Sequence, residues 1–86
     1  MANDNTDFVD VDLSRAIEID GAKVKTLRMR EPTVADQLAA DELKGSDAAK
    51  ELMTIANLCQ ITPDDLKKLG LRDYKKLQEA FLGFIG

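Results

Sequence analysis

A chain of 86 residues with no histidine, one cysteine and a formal charge of −4 lacks most of the groups from which enzymes, metal sites and nucleic-acid binders are built. The commonest general base and metal ligand is missing, and an excess of acids argues against a phosphate-backbone partner. The length allows one small domain burying roughly 60–65% of its unfolded surface, and with Phe8, Tyr74, Phe81 and Phe84 as the only aromatics its core has to be aliphatic.

Residues 1–7, Met-Ala-Asn-Asp-Asn-Thr-Asp, are polar, show no apolar periodicity and lack the charge pattern of a signal peptide, so a disordered tail is expected ahead of a single domain over residues 8–86. From Val9 the chain alternates. Val9, Val11, Leu13, Ile17 and Ile19 fall on one face and Asp10, Asp12, Ser14, Ala16 and Glu18 on the other, with only Arg15 interrupting the apolar set. Asp20-Gly21 then supplies the positive φ of a tight hairpin turn. The second strand, Val24 to Arg30, puts Leu27 and Met29 on one face and Val24 on the opposite parity, a conflict that a bulge near Lys25-Thr26 would resolve. Its bases Lys23, Lys25, Arg28 and Arg30 face an acidic first strand.

Pro32 ends the second strand, and Thr33 with Asp36 forms a capping box for a helix expected to reach Leu43 or Lys44 before stopping at Gly45. Ser46 or Asp47 opens a second helix, with Leu52, Ile55, Ala56 and Cys59 on one stripe. Thr62-Pro63-Asp64-Asp65 starts a short third helix with a cap, a proline at the first helical position and two acids at the positive end of the dipole. The last helix is expected from Arg72 or Asp73, carrying Tyr74, Leu77, Phe81, Phe84 and Ile85 along one stripe. The elements describe an α+β fold, an N-terminal β-hairpin followed by three to four short helices in one small domain.

Chemistry is sparse. Cys59 sits on an apolar stripe as a small hydrophobe, cannot form an intrachain disulfide, and fits a reducing compartment. The adjacent acids Asp64-Asp65 and Asp41-Glu42 point apart on a helix and make no acid/base dyad. Ser46, between Gly45 and Asp47, reads as a helix cap rather than the attachment serine of a carrier domain. No apolar run is long enough to span a bilayer, and no glycine-rich phosphate loop is present. The residues therefore indicate no enzyme, no catalytic, cofactor-binding or metal site, and neither nucleic acid nor membrane as partner.

What remains is binding to protein. The hairpin edges could accept a strand, and the apolar terminus Phe81-Leu82-Gly83-Phe84-Ile85 exceeds what one helix face buries at a chain end. The candidate partner-binding residues are Tyr74, Leu77, Phe81, Leu82, Phe84 and Ile85, of which Tyr74, Leu77 and Phe81 are expected first of all in the core. A small acidic adaptor or regulatory domain, self-associating as a homodimer through the hairpin edge or this stripe, fits these residues.

An ordered set of segments carries a family likeness: Leu13-Ser14-Arg15-Ala16-Ile17-Glu18-Ile19-Asp20-Gly21, then Leu27-Arg28-Met29-Arg30-Glu31-Pro32-Thr33, then Leu58-Cys59 with Ile61-Thr62-Pro63-Asp64-Asp65-Leu66, and Leu71 through Phe81. With these the chain resembles the small phage tail assembly chaperones of Mu-like and related contractile-tailed phages and prophages. It departs from their pattern at Ala16, where proline is expected, and in a longer acidic start. The resemblance implies a non-enzymatic chaperone of the bacterial host cytoplasm, absent from the mature virion. Such a protein would bind the tape measure protein and keep it soluble while tail tube subunits polymerise. It also implies that a frameshift-extended form recruits the tail tube protein.

Overall fold

The computed structural model describes residues 8–86, and the tail expected over residues 1–7 lies outside the described residues. Strands β1 (Phe8–Ile19) and β2 (Ala22–Arg30) are followed by helices α1 (Val34–Asp41), α2 (Asp47–Cys59), α3 (Pro63–Leu66) and α4 (Leu71–Ile85). This is the α+β architecture expected from the sequence. Asp20 and Gly21 take φ of 53° and 83°, both positive as a two-residue hairpin turn requires, and bring Ile19 opposite Ala22.

The hairpin is not regular. Pairing runs from Phe8–Arg30 to Asp12–Thr26 and resumes at Ile17–Val24, so residues 13 to 16 of β1 stand against Lys25 alone. A bulge does fall at this level, but its extra residues belong to β1 and not to Lys25-Thr26 of β2. The reason is accommodation. The excursion lets Leu13 and Ile17 both reach the core while Arg15 stays outside, and the amides it frees have a buried acceptor, described below.

One face of the hairpin packs on the helices. Val11, Leu13 and Ile17 from β1 and Leu27 and Met29 from β2 meet Ile55, Ala56, Leu58 and Cys59 of α2, Leu66 of α3 and Leu77 of α4. A two-stranded sheet is marginal by itself, and this shared aliphatic core stabilises it.

Helix starts follow their caps. The Thr33 and Ser46 hydroxyls accept from the Asp36 and Ala49 amides, and Thr62 accepts from Asp65. Two boundaries differ from expectation. Helix α1 ends at Asp41 rather than at Leu43 or Lys44, because the Glu42 and Leu43 amides bond three residues back to Ala39 and Ala40 and tighten the last turn. Helix α4 begins at Leu71, with Gly70 at the cap position and no capping side chain, so neither Arg72 nor Asp73 opens it. Asp73 is committed elsewhere.

Candidate partner-binding surface

The N-terminal turn of α4 is anchored in the β1 bulge. The Ser14 amide donates to Asp73 Oδ1 at 2.9 Å, the Ser14 hydroxyl to Oδ2 at 3.1 Å and the Arg15 amide to Oδ2 at 3.3 Å. Asp73 is only 2% exposed. These donors, the Ser14 amide foremost, hold its carboxyl below the usual carboxylate range against the opposing effect of burial. Lys76 lies 3.6 Å from Asp73 and donates to the Asp12 carbonyl at 3.0 Å, and Lys68 donates to the Glu18 carbonyl. The main chain of β1 is thereby engaged along the bulge instead of being offered to an incoming strand.

A second clamp fixes α1 to the hairpin. Arg30, at the end of β2, grips Asp36 with both terminal nitrogens, at 2.6 and 2.9 Å, while the Thr33 amide donates to the same carboxylate at 2.8 Å. The Arg30 guanidinium first, and then the Thr33 amide, hold the Asp36 carboxyl far below its ordinary range. The Glu31-Pro32-Thr33 joint therefore sets where α1 lies, although α1 itself contributes no buried residue.

The six candidate residues of α4 separate by position. Leu77 is fully buried and belongs to the core, so it is not part of a contact surface in the folded chain. Tyr74, Phe81 and Phe84 are half-buried and pack against that core. The Tyr74 hydroxyl donates to Glu51 at 3.1 Å, beside Gln78 at 2.8 Å, and burial with this neighbouring carboxylate raises its pKa. Leu82 and Ile85 are each 59% exposed. Beside them an open groove of about 770 Å³ runs between α1, α2 and the end of α4, lined by Val34, Thr54, Phe81 and Ile85 and edged by Asp41 and Asp47.

Sequence reasoning missed Val34 and Leu38 of α1, which are 76% and 61% exposed. The available signal was the shortness of α1. Two large apolar residues at i and i+4 with acids around them are too few to bury a helix face. Asp73 was also missed; it precedes Leu77 by four residues and so shares its inward stripe.

Reactive chemistry does not collect in this structure. Burial pushes the Cys59 thiol up to about 11, which suppresses the thiolate. Among the described residues no group of three or more Cys, Asp or Glu side chains could hold a metal ion, and no helix is long and apolar enough to cross a membrane. What these surfaces present is apolar side chains in open grooves with charged residues around them.

Comparisons with known proteins agree in kind. The family model described as phage tail assembly chaperone proteins, E, or 41 or 14, matches residues 10–86. No curated protein and no solved structure matches. The matched span takes in the β1 bulge, both carboxylate clamps and all of α4. The chain belongs to the phage tail assembly chaperone family.

Proposed function

We propose that this chaperone binds the tape measure protein during tail assembly, in the cytoplasm of the bacterial host, and leaves before the virion is complete. It works by covering apolar surface and catalyses no reaction. A long helical rod exposes apolar stripes until tube subunits enclose it, and a small acidic protein that covers them keeps the rod soluble. An extended product recruiting the tail tube protein would couple that protection to tube growth.

The observation that carries this reading is the end of α4, where Leu82 and Ile85 stay exposed beside a groove lined by Phe81 and Val34. Asp41 and Asp47 on the rim favour a client helix whose apolar stripe is flanked by lysine or arginine. Truncating the chain before Leu77 would remove core, so point substitutions are the sharper tool. Co-expressed with the tape measure protein encoded nearby, the wild-type chain should co-purify with it. The Leu82→Lys/Ile85→Lys variant should lose the client while keeping its circular dichroism spectrum. A folded variant that captures the client as well as wild type would refute the assignment of this surface.

A further inference from the structure

A second groove lies on the other flank of α4, and its charge is opposite. It encloses about 720 Å³ between α2, α3 and the first turns of α4, with Leu52, Leu69, Leu71 and Tyr74 as apolar lining and Lys67, Arg72 and Lys75 among the residues around it. Leu71 is 84% exposed, more than any other large apolar residue described. The one acid in the lining, Glu51, accepts hydrogen bonds from Tyr74 and Gln78. Lys67 reaches Asp64 only at 3.7 Å with both side chains in water, a weak pair. Among the described residues Arg72 and Lys75 have no ion-pair partner.

The complementary element is α1. Val34 and Leu38 form an exposed apolar stripe, and Asp41 and Glu42 follow one turn on, again without ion-pair partners among the described residues. Because α1 is held by the Arg30–Asp36 clamp to the end of β2 and none of its residues lines the second groove, a chain does not fill its own groove.

We propose that α1 of one copy seats in the α2–α3–α4 groove of a second copy, Leu38 entering beside Leu71 and the Asp41/Glu42 carboxylates meeting Arg72 and Lys75. Donor and acceptor are different surfaces, and the proposal places them head-to-tail, with the two copies of a contact not exchanging α1 reciprocally. Each bound copy still offers the surface that the next copy needs, and the chain forms open rows rather than closed dimers. A single short helix in a shallow groove makes a small interface, and the association is correspondingly weak and salt-sensitive. The inference goes beyond client binding; Val34 and Asp41 border both surfaces, but Leu38 and Leu71, the positions tested, neither line the client groove nor lie at the end of α4.

Sedimentation velocity on the full chain tests it, over concentrations from about 10 µM to about 1 mM. At low salt the average mass should climb past that of a dimer with concentration, and salt at about 0.5 M should reverse much of the climb. Leu38→Glu removes the donor and Leu71→Glu blocks the acceptor; both positions are exposed, so each variant should stay folded and monomeric. Mixed together, the two variants should form one-to-one dimers and nothing longer, because one intact donor meets one intact groove. A wild-type chain that stays monomeric at about 1 mM overturns the proposal, as does a species that stops at two copies or a mixture of variants that does not associate. Loss of tape measure co-purification by Leu71→Glu, with no self-association of wild type, would assign the groove to the client and overturn it too.

Discussion

Helix α4 begins and ends in two different environments. At Asp73 a buried carboxylate has a donor for each oxygen, and the next turn delivers Leu77 to the centre of the core. At Leu82 and Ile85 apolar side chains face water beside a groove whose charged lining, Lys50 apart, is acidic. The same helix therefore anchors the fold at Asp73 and Leu77 and leaves Leu82 and Ile85 of its last turns in water. A domain this small has few side chains to spare, so apolar residues left at the surface are informative where buried ones are not.

The largest test of that division is inside the core. Leu77→Ala should cost about 2–5 kcal/mol in urea-induced unfolding, a large part of what an 86-residue domain has. The neighbouring exposed change Leu82→Ala should stay within about 0.5 kcal/mol. Equal losses at the two positions would mean that the end of α4 is part of the core, and the contrast would fail.

Next comes the carboxylate at the seam. Asp73→Asn keeps the shape but replaces one acceptor oxygen with a donor that faces either the Ser14 amide or the Arg15 amide. It should lower the melting temperature by roughly 10 °C. Its charge also carries a pH signature. The folded-state pKa values of Asp73 and Asp36 are both depressed, so the unfolded chain takes up these protons first on acidification. Their stabilisation is fully present above the ordinary carboxylate value of about 3.9 and is lost as pH falls below it toward the folded values. A melting curve recorded against pH should fall steeply below about 4 in wild type and less steeply in Asp73→Asn/Asp36→Asn. Identical acid limbs would show that neither clamp matters.

Much of the scaffold was legible in the sequence because its determinants are local. The Asp20-Gly21 turn, the Thr33, Ser46 and Thr62 caps and the proline that opens α3 each act within a few residues. The bulge was legible only as a parity conflict. Which strand absorbs it depends on Asp73, 59 residues away from Ser14, and no local rule reaches that far. The candidate surface was half legible. Leu82, Phe84 and Ile85 stood out as apolar residues at a chain end, while Tyr74, Leu77 and Phe81 on the same stripe read first as core; burial puts only Leu77 of these fully inside. The exposure of Val34 and Leu38 follows from how the Arg30–Asp36 clamp sets α1, again a tertiary fact.

A smaller effect should come from the joint. Thr33→Ala removes the hydroxyl that accepts from the Asp36 amide and should cost about 1 kcal/mol. Since α1 buries nothing, hydrogen exchange should rise in α1 while α4 keeps its protection. Loss of protection in both helices together would show that α1 is integral to the core, and that the groove beside it is a cleft in one rigid body rather than a seam with one loose wall.

The smallest expected change in stability carries the most functional weight. In Leu82→Lys/Ile85→Lys each new ammonium lies in the final turns of α4, which hold no basic residue, and a cation there interacts favourably with the helix dipole. The apolar area lost is area already mostly in water, so the melting temperature should stay within a few degrees of wild type. Client capture should nevertheless disappear, because two charges would sit in the middle of an apolar contact and oppose the basic flanks of the client. That combination distinguishes a recognition surface from a folding surface. A residue needed for the core cannot be charged without unfolding the chain, and a residue needed by neither function can be charged without consequence. Only a surface kept for a partner should tolerate the charge when alone and fail with it when the partner is present.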